Sequence, residues 1–442
     1  MKATMIDSVP EWPMCQAPVR EPALGDYFVP SYPPFSAWSQ IQGCSLQNVL
    51  DQPVSESSLG LYVHVPFCLN KCDFCNAVSY AVARDDVVHA YVDAISKEAA
   101  LYGNQSAIRG RTVSCVYIGG GTPSMLSVDQ LARLIDGIQS AIPWKGVKEV
   151  SFECAPRSVR AHFLESLLTH GVTRLSIGVQ SFNNLLLKLN GRIHYAEDIL
   201  RAYHTVSAIG FNSVNVDLMV GLLGETEVEW RDTVHRVIEL DPDSVTVYPT
   251  EVGHDSQLFR DSTENRLPTP LVSWEQKHAR VAYAFSELEN SGYTVVSGYS
   301  AVKDPVKHHF LYEDHLWRNG DVLGLGLSSL GYLNGIQYQN AANLESYESD
   351  LGQGSLPLKR AYALTETDRF VREFILQLKL GSVSLQVLRE KFNLDPVLAF
   401  SKPLESLESE GFLTVSESEV RLTRDGLVRV DRLLPRFFYP EV

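Results

Sequence analysis

From about residue 58 onward, stretches with the character of β-strands alternate with stretches of helical character. LGLYVHVPF opens the series, followed by a loop and by helical character over 86–102. VSCVYIGG, VKEVSFECAP, RLSIGVQS, SVNVDLMVG and SVTVYP read as five further strands. The segments 127–142, 159–170, 196–210 and 228–240 read as the helices between them. Strands that alternate with helices lie parallel and are joined by right-handed crossovers. Six such units predict an α/β fold, a partial (β/α)6 TIM-like barrel. In such barrels the chemistry gathers at the C-terminal ends of the strands.

This barrel is expected to occupy 58–260, and three other regions surround it. Residues 1–57 form an irregular N-terminal leader rich in Pro, Ser and Gln. Within it GDYFVPSYPPFSAW, Gly25 to Trp38, is unusually aromatic. That segment is either a strap packed on the main domain or a cover over a site mouth, using Tyr27, Phe28, Phe35 or Trp38. Residues 261–365 read as a mixed α/β extension with a long helix over 274–291, a strand at 293–297 and the Gly-rich stretch NGDVLGLGLSSLGYL. Residues 366–442 read as a C-terminal helical module in which 384–422 has the helix, helix, hairpin order of a winged helix.

Charge narrows the partners. Against 53 Asp and Glu stand 38 Lys and Arg, a net charge of −15. An acidic surface repels phosphate backbones, so no nucleic-acid partner is expected, although a local basic patch is compatible with that total. The winged-helix-like segment is itself acidic and reads as a structural module. No apolar run reaches the roughly 18 residues of a membrane span, and MKATMIDSVPEWPMC has no apolar core of a signal peptide. The expected location is the cytoplasm. Seven scattered cysteines do not form a disulfide framework.

Three of the seven fall close together in HVPFCLNKCDFCNA, as Cys68-x3-Cys72-x2-Cys75. Thiolates are the usual ligands of iron–sulfur clusters, and close spacing lets one loop wrap one cluster. A fully ligated cubane takes four cysteines. Three leave one iron open, as a catalytic metal site keeps an open position. The alternatives are zinc, with His64 as the nearest fourth ligand, or buried unligated thiols. Gly119-Gly120-Gly121 after the second strand lets backbone approach a ligand, Thr122 adds a hydroxyl and Pro123 fixes the turn. Glu153, Gln180, Arg192 and Asp217 lie at or just past strand ends. Carboxylates suit a sulfonium or ribose hydroxyls, and Arg suits a carboxylate. Each also has a simpler reading as part of a barrel-mouth salt bridge. Cys115 and Cys154 read as packed thiols.

The triad after the first strand resembles the signature of the radical S-adenosylmethionine (SAM) superfamily. More closely, the chain resembles the oxygen-independent coproporphyrinogen III oxidases and the heme chaperones derived from them. The run Tyr62 to Cys68 is similar to that family's entry strand, and YIGGGTPS, GVTRLSIGVQSF, LNGRIH and VDLMVGLLGET follow in the same order. The likeness extends over about 59–435. It implies a 4Fe-4S cluster on Cys68, Cys72 and Cys75, with SAM chelated at the open iron and cleaved reductively to a 5′-deoxyadenosyl radical. It also implies an external electron donor such as flavodoxin or ferredoxin. Tyr62, Phe74, Gly120, Gly121, Thr122, Glu153, Gln180, Arg192 and Asp217 fall where that family contacts the bound SAM.

Two departures stand out. The oxidases follow the triad with Gly-Cys, where this chain has Asn76-Ala77. The chaperones carry a heme-associated His-Asn-x-x-Tyr-Trp, where this chain has Tyr312-Glu313-Asp314-His315-Leu316-Trp317. SYPPFSAW and LYEDHLWRNGDVLGLGLSSLGYLNGIQYQN resemble segments of class C radical SAM methyltransferases and cyclopropanases. That resemblance implies a second SAM, which gives a methyl or methylene group to an sp2 carbon of a small natural-product substrate. Aromatic faces stabilise a sulfonium, and Tyr27, Phe35, Trp38, Tyr312 and Trp317 are the expected ones. The alternative expectations are a heme chaperone or a tetrapyrrole oxidase.

Overall fold

Strands of a parallel sheet are covered on both faces and therefore read as near-continuous apolar runs. The six expected runs behave in this way in the computed structural model, which describes residues 24–25, 27–38, 44–53, 58–81 and 84–438. The first 23 residues of the expected leader, Cys15 among them, lie outside the described residues. In chain order the elements are β1 (Leu59–Val65), α1 (Asp85–Gly103), β2 (Val113–Gly120), α2 (Val128–Ala141), β3 (Glu149–Cys154) and α3 (Ala161–Thr169). They continue with β4 (Arg174–Gln180), α4 (Asn184–Leu189), α5 (Ala196–Ile209), β5 (Ser213–Val220), α6 (Glu227–Leu240) and β6 (Ser244–Pro249). Each strand pairs parallel with the next. Local chemistry sets the helix starts. Ser127 with Gln130, and Thr226 with Glu229, close reciprocal capping boxes at α2 and α6.

Beyond β6 come α7 (Gln257–Thr263), α8 (Trp274–Asn290), β7 (Thr294–Val295), β8 (Ser300–Val302) and α9 (Leu311–Trp317). Then follow β9 (Asp321–Leu325), β10 (Leu330–Leu333), β11 (Ile336–Asn340) and β12 (Leu358–Ala363). All join one twelve-stranded sheet in the order β12-β11-β10-β9-β1-β2-β3-β4-β5-β6-β8-β7. The partial barrel thus carries one more parallel strand than the six expected. β9, from the Gly-rich stretch, pairs parallel with β1 across the sheet from β2. The strand expected at 293–297 shrinks to Thr294–Val295.

The C-terminal region has its own core. Here α10 (Glu366–Leu378) packs with α11 (Leu385–Phe392), α12 (Pro396–Ala399) and α13 (Ser401–Ser409). A three-stranded antiparallel sheet of β13 (Ser382–Ser384), β14 (Leu413–Val415) and β15 (Glu419–Leu422) completes the winged-helix-like layout. Phe370, Phe374, Phe400 and Phe437 fill its centre, with the Phe374 and Phe400 rings 4.5 Å apart. Val29 and Tyr32 of the leader and Tyr299 and Trp317 of the preceding region are buried in this same core. The leader therefore bridges the barrel and the C-terminal module. Among the described residues no helix is long and apolar enough to cross a membrane.

Candidate active site

The loop after β1 is pinned from several sides. Phe67 and Cys68 pair in parallel with Tyr80 and Ala81. Asn70 Nδ2 donates to the Gly191 carbonyl at 2.8 Å, Asp73 N–H to the Asn190 carbonyl at 3.3 Å, and Leu258 N–H to the Asp73 carbonyl at 2.8 Å. This scaffold directs Cys68, Cys72 and Cys75 to one cavity of about 550 Å³ at the C-terminal end of the barrel. The three thiols are free of disulfides. Burial pushes the Cys68 and Cys75 thiols up, and Arg192 Nη1 donates to Cys72 Sγ at 3.1 Å. Among the described residues no three such side chains converge closely enough for a single ion. Ligands of three different irons stand farther apart than ligands of one ion. His64 is not a fourth ligand. Its Nδ1 pairs with the Tyr62 hydroxyl at 2.9 Å and its Nε2 with the Val78 carbonyl at 3.0 Å.

The strand ends supply the opposite wall. Gly120 has φ +118°, and a Cβ there would meet the His64 ring at 2.6 Å. A Cβ on Gly121 would meet the Phe67 carbonyl oxygen at 2.8 Å and Cys68 Sγ at 3.0 Å. Only glycine fits this turn. Thr122 Oγ1 lies 3.6 Å from Cys68 Sγ. Glu153, from β3, accepts the Tyr117 hydroxyl and the Gly120 N–H, the latter at 3.1 Å. Burial pushes its carboxyl up to about 7, and Asp217 adds to the shift. Asp217, from β5, accepts Ser176 Oγ and Asn215 Nδ2, each at 2.7 Å. Burial pushes it up to about 6.

Two polar atoms in this wall have no protein partner. Gln180 Oε1 and Arg192 Nε are buried and unpaired. The Gln180 backbone stands at φ +68°, a conformation non-glycine residues seldom adopt. Arg192 Nη2 is held by the Gly178 carbonyl at 2.8 Å. Buried polar groups without partners cost stability unless a ligand satisfies them. Three thiols, a glycine cradle, two carboxylates and two orphaned polar groups therefore face one space. This donor set suits an iron–sulfur cluster beside a ligand with both a carboxylate and cationic groups. Phe74 lines the same cavity. Tyr62 does not: it sits beneath the wall, with its ring 5.8 Å from Tyr117 and 6.3 Å from Tyr312.

Apart from Tyr27 and Phe28, the outer half of the cavity comes from residues that no motif marked. Tyr248 and Pro249 end β6, and Glu251, Tyr299 and Asp431 join them. Tyr27 and Phe28 of the leader close the mouth, with their N–H groups donating to Glu251 Oε1. Tyr27 stacks on Trp274 at 3.7 Å between centroids. The strand-end rule would have found Tyr248, but nothing local marks Asp431. Of the five aromatics expected around a second sulfonium, Tyr27 alone reaches the cavity. Phe35 and Trp38 pack on each other at 5.0 Å, with the Arg360 guanidinium 4.9 Å above Phe35. Tyr312 is buried against Tyr117, and Trp317 against Tyr299. Cys115 and Cys154 are buried thiols pushed up to about 12, and Cys154, at the end of β3, also borders the cavity as a fourth thiol.

Comparison with known proteins agrees with this geometry. Residues 62–237 match the model of the radical SAM superfamily, and 364–429 match the HemN C-terminal domain. The heme chaperone HemW of Escherichia coli is 34% identical over 281 residues, which cover 62% of this chain and 70% of that protein. The oxygen-independent coproporphyrinogen III oxidase of Escherichia coli is 29% identical over 415 residues, 90% of this chain and 89% of the relative. The solved structure of coproporphyrinogen III oxidase (HemN) from Escherichia coli superposes with a TM-score of 0.82 at 26% identity, covering 94% and 97% of the two chains.

Proposed function

Because the chain belongs to the radical SAM superfamily, in the group of the coproporphyrinogen oxidases and heme chaperones, we propose that its cavity holds a 4Fe-4S cluster and SAM and removes a hydrogen atom from a small organic substrate. The supporting observation is that three thiols and the unpaired Gln180 and Arg192 atoms line one cavity. A 4Fe-4S cluster held there would supply the one-electron reduction that cleaves the SAM sulfonium. Cys68, Cys72 and Cys75 hold the cluster. The Gly120–Thr122 turn gives the ligand close access to backbone. Glu153 and Asp217 bind cationic and hydroxyl groups, and Arg192 fixes a carboxylate. Tyr27 and Phe28 cover the mouth and keep water from the reacting atoms.

The named relatives support a tetrapyrrole-directed reaction of the oxidase kind. A specific observation favours a second reading, transfer of a methyl or methylene group from a second SAM. Glu153, Asp217 and Glu251 line the cavity beside the cations Lys71 and Arg192, while a fourth carboxylate, Asp431, is neutralised by Lys379 at 2.6 Å. Once ionised, Glu153 and Asp217 would offer partners to a cationic group such as the sulfonium of a second SAM. Asn76, in place of the oxidases' Gly, also faces the cavity. The heme-chaperone relatives, among them the 34% identical HemW of Escherichia coli, support a heme-handling reading as well, although at the heme-associated segment Tyr312 is buried and His315 Nε2 is held by the Asp321 carbonyl at 2.8 Å.

One anaerobic assay separates these readings. Reconstituted protein is given reductant, SAM and coproporphyrinogen III, and 5′-deoxyadenosine, carbon dioxide and S-adenosylhomocysteine are measured. Carbon dioxide without S-adenosylhomocysteine supports the oxidase reading. S-adenosylhomocysteine, with deuterium passing from a labelled SAM methyl group into 5′-deoxyadenosine, supports methylene transfer. Tight heme binding without 5′-deoxyadenosine under any condition would overturn the enzymatic proposal.

A further inference from the structure

Arg192 is delivered to the cluster loop by a turn that is bonded to that loop on both sides of Cys72. After α4 the chain turns through Asn190 and Gly191, and the Arg192 N–H returns to the Leu187 carbonyl at 2.9 Å. The Asn190 carbonyl accepts the Asp73 N–H, and the Gly191 carbonyl accepts Asn70 Nδ2. Two nitrogens then fix the guanidinium. Nη1 donates to Cys72 Sγ at 3.1 Å, and Nη2 donates to the Gly178 carbonyl of β4 at 2.8 Å. Among the described residues Arg192 forms no salt bridge. Asp217 feels its charge without bonding to it, and Nε is buried with no partner. A guanidinium carries a permanent charge, so a whole positive charge sits against one thiol of the triad. The other contacts of these thiols differ in kind. Thr122 Oγ1, a neutral donor, lies 3.6 Å from Cys68 Sγ, and the Ala77 backbone bonds Cys75. Lys71 lines the cavity but, among the described residues, bonds none of the three.

We infer that Arg192, acting through Cys72, holds up the reduction potential of the cluster. The inference rests on the reading of the cavity as a cluster site. It makes Arg192 a positioning residue toward the cluster, apart from any ligand that its free Nε binds. Reduction by a one-electron donor adds one negative charge to the cluster, with no bond made or broken at Cys72. A cation and an N–H donor on a ligand sulfur favour that charge-rich form, and hydrogen bonds to the sulfurs are among the features that set such potentials. Burial strengthens the effect, because a charge acts more strongly where water is scarce. The surroundings pull the other way. Glu153, Asp217 and Glu251 line the same cavity, and the whole chain carries a charge of −15. Arg192 is the cavity cation that is bonded to a thiol, and its turn is stitched to Asn70 and Asp73. The cation therefore travels with the loop, and its distance from Cys72 is held by backbone as well as by the side chain.

The test uses reconstituted full-length protein without SAM. Dithionite is titrated in anaerobically with redox mediators, and the reduced cluster is counted by electron paramagnetic resonance at each potential. Wild type, Arg192→Gln, Arg192→Lys and Lys71→Met are compared at equal iron content. Arg192→Gln should lower the one-electron reduction constant about tenfold, a fall of about 59 mV. Arg192→Lys keeps a charge but not the two-point hold of the guanidinium, and should fall by less. Lys71→Met removes a cation that bonds no thiol, and should also fall by less than Arg192→Gln. A wild-type potential in Arg192→Gln would overturn the inference. An equal fall in Lys71→Met would do so too, because the effect would then belong to the cavity's net charge and not to the bond at Cys72. Where Arg192→Gln takes up no iron, Arg192→Lys decides: a lowered potential supports the inference and an unchanged one overturns it. Wild-type protein that forms no reducible cluster would remove the cluster reading itself, and the inference with it, whereas an unshifted variant leaves that reading standing.

Discussion

Lys379 Nζ lies 2.6 Å from Asp431 Oδ1, and this ion pair is sealed from solvent where the leader, β8 and the C-terminal module meet. Asp431 also accepts the Val29 N–H at 2.9 Å and the Tyr299 hydroxyl, while the ammonium stands 3.7 Å from the Phe28 ring centre. Burial lowers the Lys379 pKa and Asp431 opposes that shift.

Breaking that pair from one side should cost far more than removing it whole. Lys379→Met strands a buried carboxylate, a loss of about 3–5 kcal/mol for such pairs. The double variant Lys379→Met with Asp431→Leu should recover much of it. Chemical denaturation of the two single variants and the double closes the cycle. A double variant no more stable than either single would show that Val29 and Tyr299, rather than the charge pair, carry the stability.

Glu153 should make SAM binding depend on pH. With its carboxyl at about 7 in the folded protein, it is largely protonated below neutrality. An ammonium or sulfonium partner favours the ionised form, so affinity should rise as pH climbs from about 6 to 8 and level off above that. Glu153→Gln should flatten this profile. Stability runs the other way. The folded value exceeds the unfolded one, near 4.3, so this group's contribution is full below that and is lost as pH rises through about 7. Thermal melts of wild type and Glu153→Gln across this range would show the difference.

Gly121 has no room for a side chain. Gly121→Val should leave the sheet intact but displace the Phe67 carbonyl and the Cys68 thiol. Iron after anaerobic reconstitution should drop well below about four per chain, while the far-ultraviolet circular dichroism stays that of the wild type. Full iron content in this variant would detach the glycine turn from the cluster site.

Cys72→Ala should abolish 5′-deoxyadenosine formation, and Arg192→Lys should reduce it in a folded protein. Lysine cannot reach Cys72 and the Gly178 carbonyl together as the guanidinium does. Cleavage at the wild-type rate in Cys72→Ala would remove this cysteine from the ligand set.

The inner wall was legible because each of its parts is local. The thiol spacing and the glycine turn are local motifs, and Glu153, Gln180 and Asp217 stand on parallel strands, whereas Arg192 follows the short helix α4. β9 was not legible, because Gly324 within it and the glycines around it weaken the strand pattern and its partner β1 lies more than 250 residues earlier. The outer wall was hidden for a related reason. Glu251, Tyr299 and Asp431 become neighbours only when the C-terminal module folds back on the barrel. Aromatic content misled at Phe35, Trp38, Tyr312 and Trp317, since a ring buries itself equally well in a core or at a cavity, and composition does not say which.

The leader's hold on Asp431 sets an order of events during synthesis. Val29 and Asp431 are 402 positions apart. A ribosome therefore releases the barrel and its three cysteines long before the residues that lock the leader over them. Until Asp431 is made that hold is missing, and the leader is kept over the cavity only by Gly25 on Val252, by the Tyr27 and Phe28 N–H groups on Glu251 and by the Tyr27 stack on Trp274. The contact that fastens the leader to the C-terminal module can form only after the whole barrel has been made.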